Sequence, residues 1–296
     1  MLKGAGNDHR YRELVRMRVE RPAAIAEAAA RRRRPTSLVG EHGRLMMIAA
    51  DHPARGALAA GARPFAMGDR TDLLDRLVLA LSRPGVNGVL GTPDVLEDLL
   101  LLGALDDKVV IGSMNRGGLA GTVFEMDDRF TGYDAQAIAD AGFEGGKMLT
   151  RIDPEDPATV TTLESCADAV SDLARHRLLA MVEPFISHRV DGRVRNELTA
   201  DAMVRASAVA AGLGVTSAYT WLKVPVVDDM ERAMAATTLP ALILGGEVAQ
   251  DQQATFATWQ KALALPTVQG LVIGRSLLYP PDDDVASAVD AAVGLL

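Results

Sequence analysis

From Pro35 onward, short apolar runs end in polar or glycine-rich turns, and each is followed by a segment whose apolar residues recur at helical spacing. That alternation is the pattern of repeated β-α units. Eight runs carry it: LMMIAAD ending at Asp51, GVLGT at Thr92, KVVIGSM near Asn115, GGKMLTRID near Asp153, LLAMVEP at Pro184, AYTWLKV at Val224, ALILGGE at Glu247 and GLVIGRS at Ser276. Helices are expected between them, for example over Asp69 to Ser82, Pro157 to Arg175, Asp201 to Ala211 and Gln250 to Ala264. Eight units in 296 residues predict an α/β fold of the (β/α)8 TIM-barrel type, which typically needs about 250 residues. An open doubly wound sheet would carry G-x-G-x-x-G after its first strand. The loop there reads DHPARGALAAG instead.

Upstream, residues from about Asp8 to Arg34 read as helix, because Leu14, Val15, Val19 and the alanines of Ala23 to Ala30 fall among charges at helical spacing. The expected organisation is an N-terminal helical extension over residues 1–37 and a catalytic barrel over 38–296. The basic run Arg31 to Arg34 reads as a solvated helix end rather than a patch for nucleic acid or lipid. Overall charge supports that: 31 basic against 39 acidic residues give a net −8, which would repel a polyanion, so no nucleic-acid partner is expected. No stretch approaches the roughly 20 apolar residues of a membrane span, and the N-terminus lacks the apolar core of a signal peptide. A cytoplasmic protein without a membrane partner is expected. The single cysteine, Cys166, allows neither an intrachain disulfide nor a multi-cysteine metal site, and reads as a buried thiol.

In a barrel of this kind the active site lies at the C-terminal ends of the strands. The polar residues there are Asp51 and His52 on the first strand, Asn115 and Arg116 on the third, Lys147 and Arg151 on the fourth, Glu183 on the fifth and Lys223 on the sixth. Gly245, Gly246 and Glu247 follow on the seventh, and Gly274, Arg275 and Ser276 on the eighth. Lys223, inside the apolar stretch AYTWLKVPVV, must face a polar cavity or lose its solvation. Burial and a nearby cation favour the neutral amine that attacks a carbonyl; a pairing with a buried carboxylate or an outward reach are the alternatives. Lys147 occupies a comparable place. Two of the five lysines (Lys3, Lys108, Lys147, Lys223 and Lys261) at strand ends is uncommon for a residue that prefers solvated helix faces. Lys147 is a candidate positive neighbour for Lys223, and a salt bridge from it to Asp51 or Glu183 is compatible with that role. Asp51 and Glu183 are candidates for proton transfer to and from a substrate alcohol, or for orienting the lysines.

The turns LGGE and IGRS resemble the phosphate cradle of many barrels, in which glycines let backbone N–H groups approach an anion. Gly245, Gly246, Gly274 and Arg275 would hold a phosphorylated small molecule, with His52, Asn115 and Arg151 as further substrate contacts. The histidines His9, His42, His52, His176 and His188 are scattered, without an H-x-H or H-E-x-x-H pair, so no metal centre is expected. A divalent ion on Asp51 and Glu183 would be opposed by two lysines in the same cavity. No cofactor is expected, and the G-x-S-x-G turn of a serine hydrolase is missing.

The segments AADHPARG, GGKMLTRID, MVEPF, WLKVPV, LILGGE and VIGRSLLYP, spread over most of the barrel, resemble those of the class I (Schiff-base) aldolase superfamily of deoxyribose-phosphate, archaeal-type fructose-bisphosphate and tagatose-bisphosphate aldolases. The resemblance implies that Lys223 forms the Schiff base, with Asp51 and Lys147 as acid-base and electrostatic partners. Some fructose-bisphosphate aldolases of the superfamily use a tyrosine as proton donor; Glu183 and Pro184 stand at the fifth strand end here, which resembles the tagatose-bisphosphate arrangement. A finer likeness is to an actinobacterial group of aldolase-like barrels associated with myo-inositol catabolism. It implies cleavage of 2-deoxy-5-keto-gluconate 6-phosphate to dihydroxyacetone phosphate and malonate semialdehyde. Two other readings stay open: an isomerase or lyase that uses Lys223 only as a charged ligand, and a catalytically silent sugar-phosphate sensor. Self-association into a homo-oligomer is expected.

Overall fold

The computed structural model describes residues 5–40 and 43–296; Lys3 and His42 lie outside them. Two helices open the chain, α1 (Ala5–Glu20) and α2 (Ala24–Arg31). One continuous helix was expected there, but Pro22 lacks the N–H that would continue the ladder, and the chain turns between the two. The barrel elements follow as β1 (Leu45–Ala49), α3 (Arg70–Ser82), β2 (Gly88–Gly91), α4 (Pro93–Leu101), β3 (Val109–Ser113), α5 (Ala135–Asp140), β4 (Gly145–Ile152) and α6 (Ala158–Arg175). The second half holds β5 (Leu179–Val190), β6 (Arg193–Asn196), α7 (Ala200–Ala211), β7 (Thr220–Val224), α8 (Met230–Met234), β8 (Ala241–Leu244), α9 (Gln252–Leu263), β9 (Val268–Ile273), α10 (Arg275–Leu278) and α11 (Val285–Val293).

The parallel strands run in the order β1, β2, β3, β4, β5, β7, β8, β9, and both β4–β5 and β9–β1 pairings are made, so the sheet closes into a (β/α)8 barrel. β6 is the exception. β5 continues past Pro184 to Val190 and pairs antiparallel with β6, with Ser187 opposite Asn196, forming a hairpin that the pattern of apolar runs did not announce. Side-chain oxygens start the helices: Asp69 accepts from the Thr71 and Asp72 N–H groups, and Asp134, Thr199, Asp251 and Asp284 cap α5, α7, α9 and α11 in the same way.

Strand alternation divides the interior in two. Leu45, Met47 and Ala49 of β1 meet Leu90, Val109, Ile111, Leu179, Met181, Leu242 and Val272 in one apolar cluster inside the barrel. Met46, Ile48 and Ala50 belong to the larger cluster with Leu73, Leu77, Leu96 and Leu99 from the surrounding helices. The close strand pairing at β9 depends on Gly270, whose φ is +146° and whose added Cβ would collide with the Leu45 carbonyl.

The basic run is the solvated helix end expected at Arg31, Arg33 and Arg34, which are exposed, but not at Arg32. Arg32 turns under the barrel, with its side chain 2% exposed, and pairs with Glu144 at 2.9 Å while donating to the carbonyls of Lys108 at 2.8 Å and Gly142 at 2.5 Å. Glu144 in turn accepts from the Val110 N–H at 2.8 Å and from Arg34 at 3.1 Å. Arg33 pairs with Asp106 and Asp107, and Arg31 with Glu27. The helical arm is thus fastened to the starts of β3 and β4, opposite the strand ends where chemistry is expected. Removing one member of a buried pair strands the other charge. Arg32→Ala is expected to lower unfolding free energy by about 3–5 kcal/mol in urea titrations, whereas Arg31→Ala, on the surface, should change it by less than about 0.5 kcal/mol.

Candidate active site

The parity that builds the inner apolar cluster also aims the charged residues. Asp51 follows Leu45, Met47 and Ala49 in step; Ser113 follows Val109 and Ile111; Glu183 follows Leu179 and Met181. Lys147 lies beside Ser113 and Met181 in register, and Lys223 beside Leu242. These side chains therefore form a polar layer resting on the apolar plug at the C-terminal end of the barrel.

The layer is a chain of alternating charges. Lys223 Nζ is 3.1 Å from Glu183 Oε1, Glu183 Oε2 is 2.5 Å from Lys147 Nζ, and Lys147 Nζ is 3.1 Å from Asp51 Oδ2. Asp51 Oδ2 also accepts from Ser113 Oγ at 3.2 Å and pairs with Arg116 Nη1 at 3.2 Å. Lys147 and Asp51 are 1% exposed and Lys223 is 4% exposed. Lys147 was expected as a positive neighbour of Lys223, with a salt bridge to Asp51 or Glu183 compatible with that role; it makes both bridges, and Glu183 links the two lysines.

Burial opposes the charge on both carboxylates, but cations outweigh it. Arg116, Lys147 and Lys223 hold Asp51 well below the usual carboxylate range, and Lys147 and Lys223 do the same for Glu183. Both are ionised at neutral pH. Lys147 moves the other way: burial and then the Arg116 guanidinium bring it down to about 8, against the pull of Asp51 and Glu183. His52 is pushed down to about 3 by burial and then by Arg275, Lys223 and Arg116, although Asp51 resists. Its imidazole is neutral.

At the turns after β8 and β9, Gly246 has φ +66°, and a Cβ on Gly274 would collide with the Ala49 carbonyl. The Ser276 hydroxyl donates to the Gly245 carbonyl at 3.4 Å, tying the two turns together. Arg275 donates to the Ala59 carbonyl at 3.4 Å, while its buried Nε has no partner.

Two residues expected to touch substrate stand outside the charged chain. Asn115 donates to the Leu149 carbonyl at 2.6 Å and accepts from the Leu149 N–H at 2.7 Å, so its carboxamide is spent as a clamp on β4. Arg151 binds Glu125 at 3.2 Å, in a group with Arg55, which reaches the same carboxylate at 2.9 Å. Ser113, Arg116, Arg55 and Glu125 were not singled out from sequence as site residues. Arg116 was visible as a polar residue at a strand end; its bond to Asp51, contributed by a different strand, has no signature in the spacing.

No curated protein matches the chain. Its structure superposes on that of an archaeal fructose 1,6-bisphosphate aldolase with TM-score 0.64 at 17% identity, covering 92% of this chain and 98% of that one. A second archaeal fructose-1,6-bisphosphate aldolase, with its catalytic Lys covalently bound to the carbinolamine intermediate of the substrate, gives TM-score 0.62 at 17% identity over 92% of this chain and 98% of that one. At that identity the likeness is one of fold. The crystal structure of Cgl0159 from Corynebacterium glutamicum is far nearer: TM-score 0.94, 54% identity, 97% of this chain and 96% of that one. The sequence profile of the Cgl0159-like family matches residues 43–293, and the chain belongs to that family.

Proposed function

We propose that this barrel is a class I aldolase that cleaves a phosphorylated keto sugar or keto sugar acid through a Schiff base on Lys223, the finer candidate being 2-deoxy-5-keto-gluconate 6-phosphate. The observation that carries the reading is the Lys223–Glu183–Lys147–Asp51 chain, which places an amine, two ionised carboxylates and a second lysine within hydrogen-bond reach of one another on a buried floor. A binding site for a neutral ligand has no need of four charges there. The glycine turns after β8 and β9, with Arg275, support a phosphate at one end of the substrate.

In the proposed sequence, Lys223 passes a proton to Glu183 and attacks the substrate ketone to form a carbinolamine. Glu183 returns the proton to the departing hydroxyl, water leaves, and the iminium ion remains. Asp51, across Lys147, takes the proton of the β-hydroxyl as the carbon–carbon bond breaks. The aldehyde departs and its bonding pair stays on the enamine. Asp51 gives that proton to the enamine carbon, which restores the iminium, and water hydrolyses it to release the keto product and free Lys223. Lys147, held between both carboxylates, keeps them ionised and faces the developing oxyanion.

Sodium borohydride with dihydroxyacetone phosphate should add one reduced donor unit to the intact protein by mass spectrometry, and Lys223→Met should abolish it. No adduct on folded wild-type protein, with dihydroxyacetone phosphate or larger keto-acid phosphates, would turn the assignment to the sensor or the non-covalent lyase. A second expectation comes from Lys147. The group is charged below about 8 and neutral above it, so kcat/KM should fall as pH rises through about 8; in Lys147→Arg that limb should move upward by more than one pH unit, because a guanidinium stays charged.

A further inference from the structure

The charges around the barrel mouth fall into groups with different balances. In the central chain, Lys147 and Lys223 are matched by Asp51 and Glu183. Beside it, above β3 and β4, lies a second buried group of three guanidinium cations and two carboxylates. Glu125 takes Arg55 at 2.9 Å and Arg151 at 3.2 Å, and also the Gly121 N–H at 2.7 Å. Asp128 accepts from the Gly118 N–H at 2.9 Å and stands 4.0 Å from Arg151. Arg116 has no carboxylate of its own. Its Nη1 reaches Asp51, which Lys147 also occupies, its Nε donates to the Asn115 carbonyl at 2.6 Å, and its buried Nη2 has no hydrogen-bond partner among the described residues. Three cations against two anions leave one positive charge in surplus.

A buried guanidinium nitrogen without an acceptor is costly to keep, and an acceptor arriving with the substrate removes that cost. The position fits the far end of a ligand. A phosphate in the turns after β8 and β9 lies next to Lys223 on β7, while Arg116 lies across the barrel, beyond Asp51 and Lys147. We infer that Arg116, backed by Arg55 and Arg151, is a monoanion subsite that receives a carboxylate at the aldehyde end of the substrate. The inference rests on the aldolase reading and decides between its two substrate classes: the single surplus charge matches a carboxylate, whereas a second phosphate, which carries close to two charges at neutral pH, would leave one unbalanced. The aldehyde product is then an oxo acid, and the substrate a phosphorylated keto sugar acid.

Condensation tests this in the wild-type protein. With dihydroxyacetone phosphate as donor, oxo acids of two to four carbons are compared with their methyl esters and with glyceraldehyde 3-phosphate, reading kcat/KM for consumption of the aldehyde. The best oxo acid should exceed both its ester and glyceraldehyde 3-phosphate at least tenfold. Arg116→Met should bring the acid-to-ester ratio to within about threefold of unity, and Arg116→Lys should recover part of it; a merely structural role for Arg116 would lower the acid and ester rates together and leave the ratio unchanged. Equal rates for acid and ester, or a preference for glyceraldehyde 3-phosphate, in a protein that still forms the borohydride adduct would overturn the subsite and leave the aldolase reading standing. Absence of the adduct would overturn both.

Discussion

Four charges buried in one layer are the constraint around which this barrel is organised. Taking a carboxylate or an ammonium group out of water costs several kcal/mol, and the cost is recovered only if each charge finds opposite partners at hydrogen-bond distance. Lys223, Glu183, Lys147 and Asp51 do so in sequence, at 3.1, 2.5 and 3.1 Å. That geometry needs β7, β5, β4 and β1 held in fixed register. The apolar plug of Leu45, Met47, Ile111, Met181 and Val272 beneath the layer supplies that stiffness, and Asn115, bonded to both backbone groups of Leu149, fixes β4 two residues above Lys147.

The far end of the barrel solves a different problem with the same device. The Arg32–Glu144 pair is buried like the charged layer, yet its remaining contacts are mostly backbone groups, the carbonyls of Lys108 and Gly142 on one side and the Val110 N–H on the other, with the Arg34 side chain as a further partner of Glu144. A charged pair satisfied by backbone holds segments together and has little left to offer a ligand. Above the strands, buried polar atoms of His52, Arg116, Arg151 and Arg275 are without hydrogen-bond partners among the described residues, and so is Arg32 Nε at the far end. The two ends of the barrel thus differ in what their buried charges face, chain segments at one end and one another at the other, in keeping with the separation of stability from chemistry in this fold.

The barrel itself was legible because a parallel strand buried on both faces must read as a short apolar run, and the eight runs end close to where the strands do. Asp51, Lys147, Glu183 and Lys223 were legible for a related reason: a charge that closes such a run has no outward face to use. What could not be read was pairing across strands. Nothing in the spacing says that Glu183 separates the lysines, that Arg116 shares Asp51 with Lys147, or that the Asn115 carboxamide is already spent. The β5–β6 hairpin was lost behind Pro184, a residue that ordinarily ends a strand, and the break at Pro22 was lost because Leu14, Val15 and Val19 before it and the alanines of Ala23 to Ala30 after it carry the helical pattern across it. Within Arg31 to Arg34 only Arg32 departs from the solvated reading, because its partner Glu144 is brought from more than a hundred residues away.

Position within the charged chain also separates the two lysines by role. Lys147 is flanked by two carboxylates and lies against Arg116, so any movement of its ammonium group exposes Asp51 and Glu183 to each other; it is fixed in place by the charges it divides. Lys223 sits at the end of the chain and pairs, among the described residues, with Glu183 alone. In the proposed reaction its proton passes to Glu183, and Lys147 keeps its pairing with Asp51. A nucleophile must surrender its charge and then form a covalent bond, and the proposed reading gives that part to the terminal lysine, whose one carboxylate can take its proton, rather than to the central one, which two carboxylates hold. On the proposed reading the same asymmetry puts the reacting carbon at β7, one strand from the glycine turn after β8 and across the barrel from Arg116, so the direction proposed for a substrate follows from which lysine ends the chain.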